Sequence, residues 1–148
     1  MTEHSALVRR GTLVVATRDD SMVAALRALN GELDLDLDIV NSKRELLGRL
    51  SPRNGLPHEG DAGWIKILLL DDDLGDARGR ELIRPLREVR SDLKIIFTTS
   101  RPTPNLEVEV RREGVHFFLP KPIEPGNLKK IVTKAVEHES TRNRWKKG

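Results

Sequence analysis

A chain of 148 residues with a net charge of +3 is sized for one domain around one buried core. It contains no cysteine, which excludes disulfide, zinc–thiolate and thiol chemistry and fits a reducing, cytoplasmic setting. No apolar run reaches the length of a membrane span, no signal-peptide pattern opens the chain, and the four histidines show no ligand spacing.

Residues 1–11 read as an N-terminal extension, 12–138 as the folded domain and 139–148 as a basic tail. A first strand covers 12–17, short and apolar. Asp19, Asp20 and Ser21 offer caps to a helix that sets Met22, Leu26 and Leu29 on one face, with Gly31 as its stop. A second strand alternates Leu33, Leu35, Leu37 and Ile39 against Asp34, Asp36 and Asp38. One face is therefore wet, which makes this an edge strand, and its carboxylates discourage pairing with another molecule.

Ser42 and Glu45 form a capping-box pattern ahead of Leu46, Leu47 and Leu50. The stretch 51–63, rich in Gly, Pro and polar residues, reads as a surface insertion. A third strand, 65–70, is apolar apart from Lys66, as a strand buried on both faces should be. The next helix places Leu82, Ile83, Leu86 and Val89 on one side, and Pro85 bends it unless the helix starts late. Residues 94–99 read as the fourth strand. In 105–113, Leu106, Val108 and Val110 alternate like a strand, while Leu106 and Val110 share a helical face; we read a short helix of weak pattern. Residues 115–119 form the fifth strand, and a last helix runs from Pro125 to His138 with Leu128, Ile131, Val132, Ala135 and Val136 at helical spacing.

Strict alternation of strands and helices predicts an α/β, flavodoxin-like (βα)5 three-layer sandwich with a parallel sheet ordered 2-1-3-4-5. In such sheets the functional crevice lies past the carboxyl ends of the strands, at the switch between strands one and three. Asp71, Asp72 and Asp73 follow strand three, Thr98, Thr99 and Ser100 end strand four, and Lys121 stands between Pro120 and Pro122 after strand five. Singly, each reads as a polar strand end or a turn. Together they offer a nucleophilic carboxylate, a hydroxyl donor and a fixed cation on one sheet edge, which is what phosphoryl transfer to a carboxylate needs.

At these residues the chain resembles the receiver domains of two-component response regulators. Leu68-Leu69-Leu70-Asp71 resembles the strand ending in the phosphorylated aspartate, Ile95-Ile96-Phe97-Thr98-Thr99-Ser100 the fourth strand with its switch hydroxyl, and Phe118-Leu119-Pro120-Lys121-Pro122 the Lys-Pro signature. Gly79 falls where the family has the glycine opening its third helix. The resemblance implies a non-enzymatic signalling module. Asp71 would be the phosphoacceptor, Thr99 the switch hydroxyl, Lys121 the phosphate contact and Phe118 the aromatic switch. It also implies a histidine kinase or phosphotransfer protein as donor, and a homodimer through the fourth and fifth helices. Direct nucleic-acid binding is disfavoured: Arg142, Arg144, Lys146 and Lys147 close the chain without an aromatic-and-basic platform elsewhere.

The pattern breaks at the magnesium site. Where the family has an acidic pair, this chain has Ala16 and Thr17, then Arg18. Losing the metal's charge costs several kcal/mol at the transition state, roughly a hundredfold or more in rate. Three repairs are open: Asp19 or Asp20 swings back to complete a Mg2+ set with Asp71 and Asp73; Asp72 or the backbone at Asp73 carries more of the coordination; or Arg18 pairs with Asp71 in place of metal, giving a phosphorylation-independent pseudo-receiver that works as an interaction module. Gly75 stands where proline is usual, which should loosen the loop.

Two other readings are set aside. Asp34, Asp36, Asp38 and Glu45 fall on the ligand positions of a calcium loop, but Ile39 stands where its sharp turn needs glycine. A nucleotide or flavin site would want a glycine-rich loop after strand one, and residues 16–20 hold no glycine.

Overall fold

In the computed structural model the described backbone covers residues 11–33, 35–50 and 65–147, and the described side chains leave out Asn30, Lys66 and 137–147. The expected insertion at 51–63 and nearly all of the N-terminal extension lie outside these residues. Five parallel strands, β1 (Thr12–Ala16), β2 (Asp36–Val40), β3 (Ile65–Asp71), β4 (Lys94–Thr99) and β5 (Phe117–Pro120), lie in the order β2-β1-β3-β4-β5. Helices α1 (Asp20–Leu29), α2 (Lys43–Leu50), α3 (Ile83–Val89), α4 (Pro104–Glu113) and α5 (Pro125–Lys147) cover its two faces.

Alternation along each strand divides the interior into two cores. Val14, Leu68, Leu70, Ile95 and Phe97 pack with Leu46 of α2, Ile83 and Leu86 of α3, and Leu106 and Val110 of α4. Leu13, Val15, Ile67, Leu69 and Ile96 pack with Met22 and Leu26 of α1 and Leu128 and Val132 of α5. This is the expected flavodoxin-like sandwich, with β2 at an edge as its acidic alternation demanded. Asp36 is exposed there, and Asp38 pairs with Arg49 of α2 at 2.8 Å.

Several boundaries differ from expectation, each for a local reason. Gly31 does not stop α1 in a left-handed turn. The helix runs into a 3-10 turn, Asn30–Glu32, and the chain joins the sheet only at Asp36, whose N–H bonds to the Gly11 carbonyl. Leu33 and Leu35 are buried ahead of the strand. Pro85 falls in the first turn of α3, where an N–H has no intrahelical partner to lose, so it fits without a break. Val89, expected in the core, is the last helical residue and is 46 % exposed.

The fourth helix is better built than its apolar pattern suggested. Thr103 Oγ1 accepts from Leu106 N at 3.0 Å, Pro104 opens the helix, and Gly114 closes it at φ +114. Val115 is spent on that closure, its N–H bonding to the Val110 carbonyl, so β5 begins at Phe117. The backbone of α5 stays helical to Lys147, past the expected end at His138, so the basic tail continues a helix.

Among the described residues one buried side-chain polar group is orphaned. Thr98 Oγ1 is fully buried without a hydrogen-bond partner. Removing such a hydroxyl relieves a desolvation cost of about 1–3 kcal/mol, set against a near-isosteric methyl. Thr98→Val is therefore expected to raise the urea midpoint, with a gain of about 1 kcal/mol in equilibrium unfolding; a loss of stability would show that the hydroxyl has a partner.

Candidate functional site

Parallel register brings the predicted residues to one sheet edge. Asp71 of β3 lies opposite Thr98 of β4, Thr99 lies opposite Pro120 of β5, and Lys121 follows directly. The Lys121 N–H bonds to the Thr99 carbonyl at 2.9 Å, tying the two strand ends together, and the Lys121–Pro122 peptide is cis.

Asp71 is only 2 % exposed, yet both its oxygens have donors. Oδ2 accepts from Lys121 Nζ at 2.7 Å and from Thr17 Oγ1 at 2.7 Å. Oδ1 accepts a single longer bond, 3.2 Å, from the Asp73 N–H. A buried carboxylate without a partner is costly, and here an ammonium and a hydroxyl compensate it.

Lys121 serves a second carboxylate. Its Nζ also donates to Asp19 Oδ2 at 2.9 Å. Burial disfavours the charged ammonium, but the hydrogen bonds to Asp71 and Asp19 outweigh it and raise the lysine pKa. Asp19 is pulled down to about 2, first by the Ser21 hydroxyl and then by Lys121. Its Oδ1 accepts from Ser21 N and Met22 N, so it caps α1 while reaching the site. Because its folded pKa lies below 3.8, its ionised form stabilises the fold fully above that pH and loses this effect as pH falls towards about 2. Asp19→Asn is expected to flatten that part of the acid-unfolding curve, read by circular dichroism; an unchanged curve would show that Asp19 is not held in its ionised form.

The other two aspartates of the triplet have separate work. Asp72 is buried against α3's lead-in turn, where burial raises its pKa but the bonds from Arg80, the main chain at 3.1 Å and Nη2 at 2.5 Å, win and lower it. Asp73 is exposed, and its Oδ1 accepts from the Gly75 N–H at 3.2 Å. Gly75 itself sits at φ +81, a conformation closed to proline, so the substitution at this position reshapes the loop rather than loosening it.

Arg18 fills the space beside that glycine. A Cβ on Gly75 would meet Arg18 Nη1 at 1.7 Å, so the guanidinium lies across the glycine. The proposed pairing of Arg18 with Asp71 is not formed; Thr17 and Lys121 hold that carboxylate instead. Thr17 is the site residue that the sequence reading missed as a participant, having counted it only as a lost carboxylate. Its hydroxyl, one residue past a buried strand beside β3, was the available signal.

The Mg2+ set expected from Asp71, Asp73 and Asp19 does not assemble. Among the described residues no three His, Asp or Glu side chains converge as cation ligands. Asp19 does swing towards Asp71, but Lys121 stands between them, Asp20 is exposed on α1, and Asp73 turns into its own loop. These side chains as arranged do not fit a divalent cation.

Thr99 is 3 % exposed, and its Oγ1 accepts from the Arg101 N–H at 3.1 Å. It lines a cleft of about 500 Å³ with Asp71, Asp73, Gly75, Arg78 and Arg101. Lys121 lines a second cleft of about 560 Å³ with Asp19, Met22 and Ile123. Phe118 is half-buried and stacks on Phe97, with centroids 5.9 Å apart and planes at 24°. That contact couples the residue beside the Lys-Pro turn to the core under α2–α4.

The model of the response regulator receiver domain matches residues 13–133. Regulatory protein LuxO of Vibrio cholerae serotype O1 is 32 % identical over 123 residues, covering 82 % of this chain and 25 % of the relative. The chain thus spans about a quarter of the length of the curated relatives it matches. Among solved structures, a CheY-like receiver domain protein from Methanospirillum hungatei superposes with a TM-score of 0.75 at 18 % identity, covering 90 % of this chain and 98 % of that one. A response regulator from Burkholderia pseudomallei with a phosphorylated aspartic acid, calcium ion and citrate gives 0.67 at 19 %, covering 90 % and 72 %. Both structures share the fold. With the Asp71, Thr99 and Lys121 edge in place, the family match over most of the domain has one meaning: this chain belongs to the response regulator receiver domain family.

Proposed function

We propose that Asp71 accepts a phosphoryl group from a histidine kinase or phosphotransfer protein and that the domain passes this event to a partner-binding face. The observation that carries the reading is the asymmetry of the Asp71 carboxylate: two close donors hold Oδ2, while Oδ1 has one long bond. Oδ1 is the nucleophile. It forms the new O–P bond as the P–N bond of the donor phosphohistidine breaks, and the imidazole leaves with the electron pair and takes up a proton. Lys121 holds counter-charge beside the new acyl phosphate, and Thr99 supplies a hydroxyl donor once it turns from Arg101.

A charge added here biases a two-state element. Thr99 moving towards the phosphoryl group frees space beside Phe118, whose ring then settles further onto Phe97. The α4–β5–α5 face changes with it, and a homodimer through α4 and α5 is the assembly we favour. Such a module signals rather than catalyses turnover, and we place it in the cytoplasm; among the described residues no helix is long and apolar enough to cross a membrane.

Acetyl phosphate supplies the test without a cognate kinase. Its phosphoryl group is expected to transfer to Asp71 with acetate leaving, read as one added phosphoryl mass that hydroxylamine removes, and to be lost in Asp71→Asn. Equal labelling of both proteins would place the acceptor elsewhere. No labelling would make the domain a phosphorylation-independent interaction module.

A further inference from the structure

At the end of β1 the chain holds Ala16 and then Thr17, and the groups that stand beside Asp71 are a hydroxyl and an ammonium. Lys121 Nζ lies between two carboxylate oxygens, 2.7 Å from Asp71 Oδ2 and 2.9 Å from Asp19 Oδ2. Thr17 Oγ1 donates to the same Asp71 oxygen at 2.7 Å and accepts from the Asp19 N–H at 3.0 Å. The remaining Asp19 oxygen accepts from Ser21 N, Ser21 Oγ and Met22 N. A divalent cation entering here meets a resident positive charge. It has to displace Lys121 from both carboxylates or strip Asp19 from the cap of α1.

We propose that this site balances its charge with the Lys121 ammonium, shared between Asp71 and Asp19 and registered by the Thr17 hydroxyl, in place of a divalent cation. The arrangement is a closed circuit: Asp71 to Lys121 to Asp19, and back through the Asp19 main chain and Thr17. Thr17 is thus a positioning residue, fixing which Asp71 oxygen faces the lysine and which is left for chemistry. The inference deepens the acceptor reading, and only its phosphorylation arm rests on that reading.

Manganese, followed by water-proton relaxation on the whole chain, tests the metal arm directly. Wild type and Asp71→Asn are expected to give superimposable titrations. Thr17→Asp, which puts a carboxylate beside Asp71, is expected to gain a site at least about tenfold tighter than wild type. Magnesium should compete for that site, and Asp71→Asn in the same background should abolish it. A wild-type site that Asp71→Asn removes would overturn the proposal. So would a folded Thr17→Asp protein that gains nothing; if that variant unfolds, the wild-type comparison decides alone. In the phosphorylation arm, labelling by acetyl phosphate is expected at equal rates in EDTA and in magnesium, and labelling that needs magnesium overturns the proposal. Absence of labelling in both conditions would sink the acceptor reading, while the manganese comparison still decides this one.

Discussion

Lys121→Met is expected to destabilise the domain by about 3 kcal/mol and to abolish phosphoryl acceptance, because it strips the cation from a buried carboxylate. Asp71 is 2 % exposed and the Lys121 side chain 16 %, so little water is at hand to replace the ammonium. Removing one partner of a buried pair costs about 3–5 kcal/mol, and the surviving Thr17 and Asp73 donors place this case at the low end. Asp19 is left with its capping bonds and loses little. Urea unfolding near neutral pH measures the effect. A loss below about 1 kcal/mol would mean that the Asp71–Lys121 pair behaves like a surface ion pair, and would remove the electrostatic basis for Lys121 as the counter-charge.

Gly79→Ala is the second large effect, and it acts through backbone rather than charge. A Cβ at Gly79 would lie 2.4 Å from the Asp71 carbonyl oxygen and 3.0 Å from Asp72 Cα. Neither atom is a flexible tip that can move aside. The Gly79 N–H also bonds to the Asp72 carbonyl at 2.7 Å, which locks the turn against the strand end. Overpacking of this kind costs about 1–3 kcal/mol, and relief requires the acceptor strand to shift. We expect a loss of about 2–3 kcal/mol in urea unfolding together with slower labelling by acetyl phosphate. Gly48→Ala is the control: nothing lies within 4 Å of its Cβ, and α2 gains up to about 1 kcal/mol of helix propensity. Equal behaviour of the two variants would contradict the packing shown at Gly79.

The sheet order was legible because β2 and β3 carry opposite patterns. Alternating Leu37 and Ile39 against Asp36 and Asp38 means an edge, and unbroken Ile67 to Leu70 means a centre. The acceptor edge was legible because parallel strands all end on one side, which brings residues distant in sequence to one place. What stayed hidden depends on tertiary partners. Thr17 reads as a missing carboxylate until the Asp71 oxygen appears 2.7 Å away. Gly75 reads as a loosened proline position until its φ of +81 shows a conformation that is closed to proline and favours glycine. The fourth helix was undervalued for a different reason. Its apolar face is narrow, and its definition comes from Thr103, Pro104 and Gly114, end signals that were present in the sequence but lie outside the periodic stretch.

Beryllofluoride, a phosphoryl mimic, tests the central claim most directly, by amide NMR on the whole chain with magnesium present. Saturable shifts at Asp71, Thr99 and Lys121 that spread to Phe118 and α4, and that vanish in Asp71→Asn, are the predicted result. Spectra unchanged up to millimolar beryllofluoride, or shifts that persist in Asp71→Asn, would contradict Asp71 as the acceptor that drives the switch.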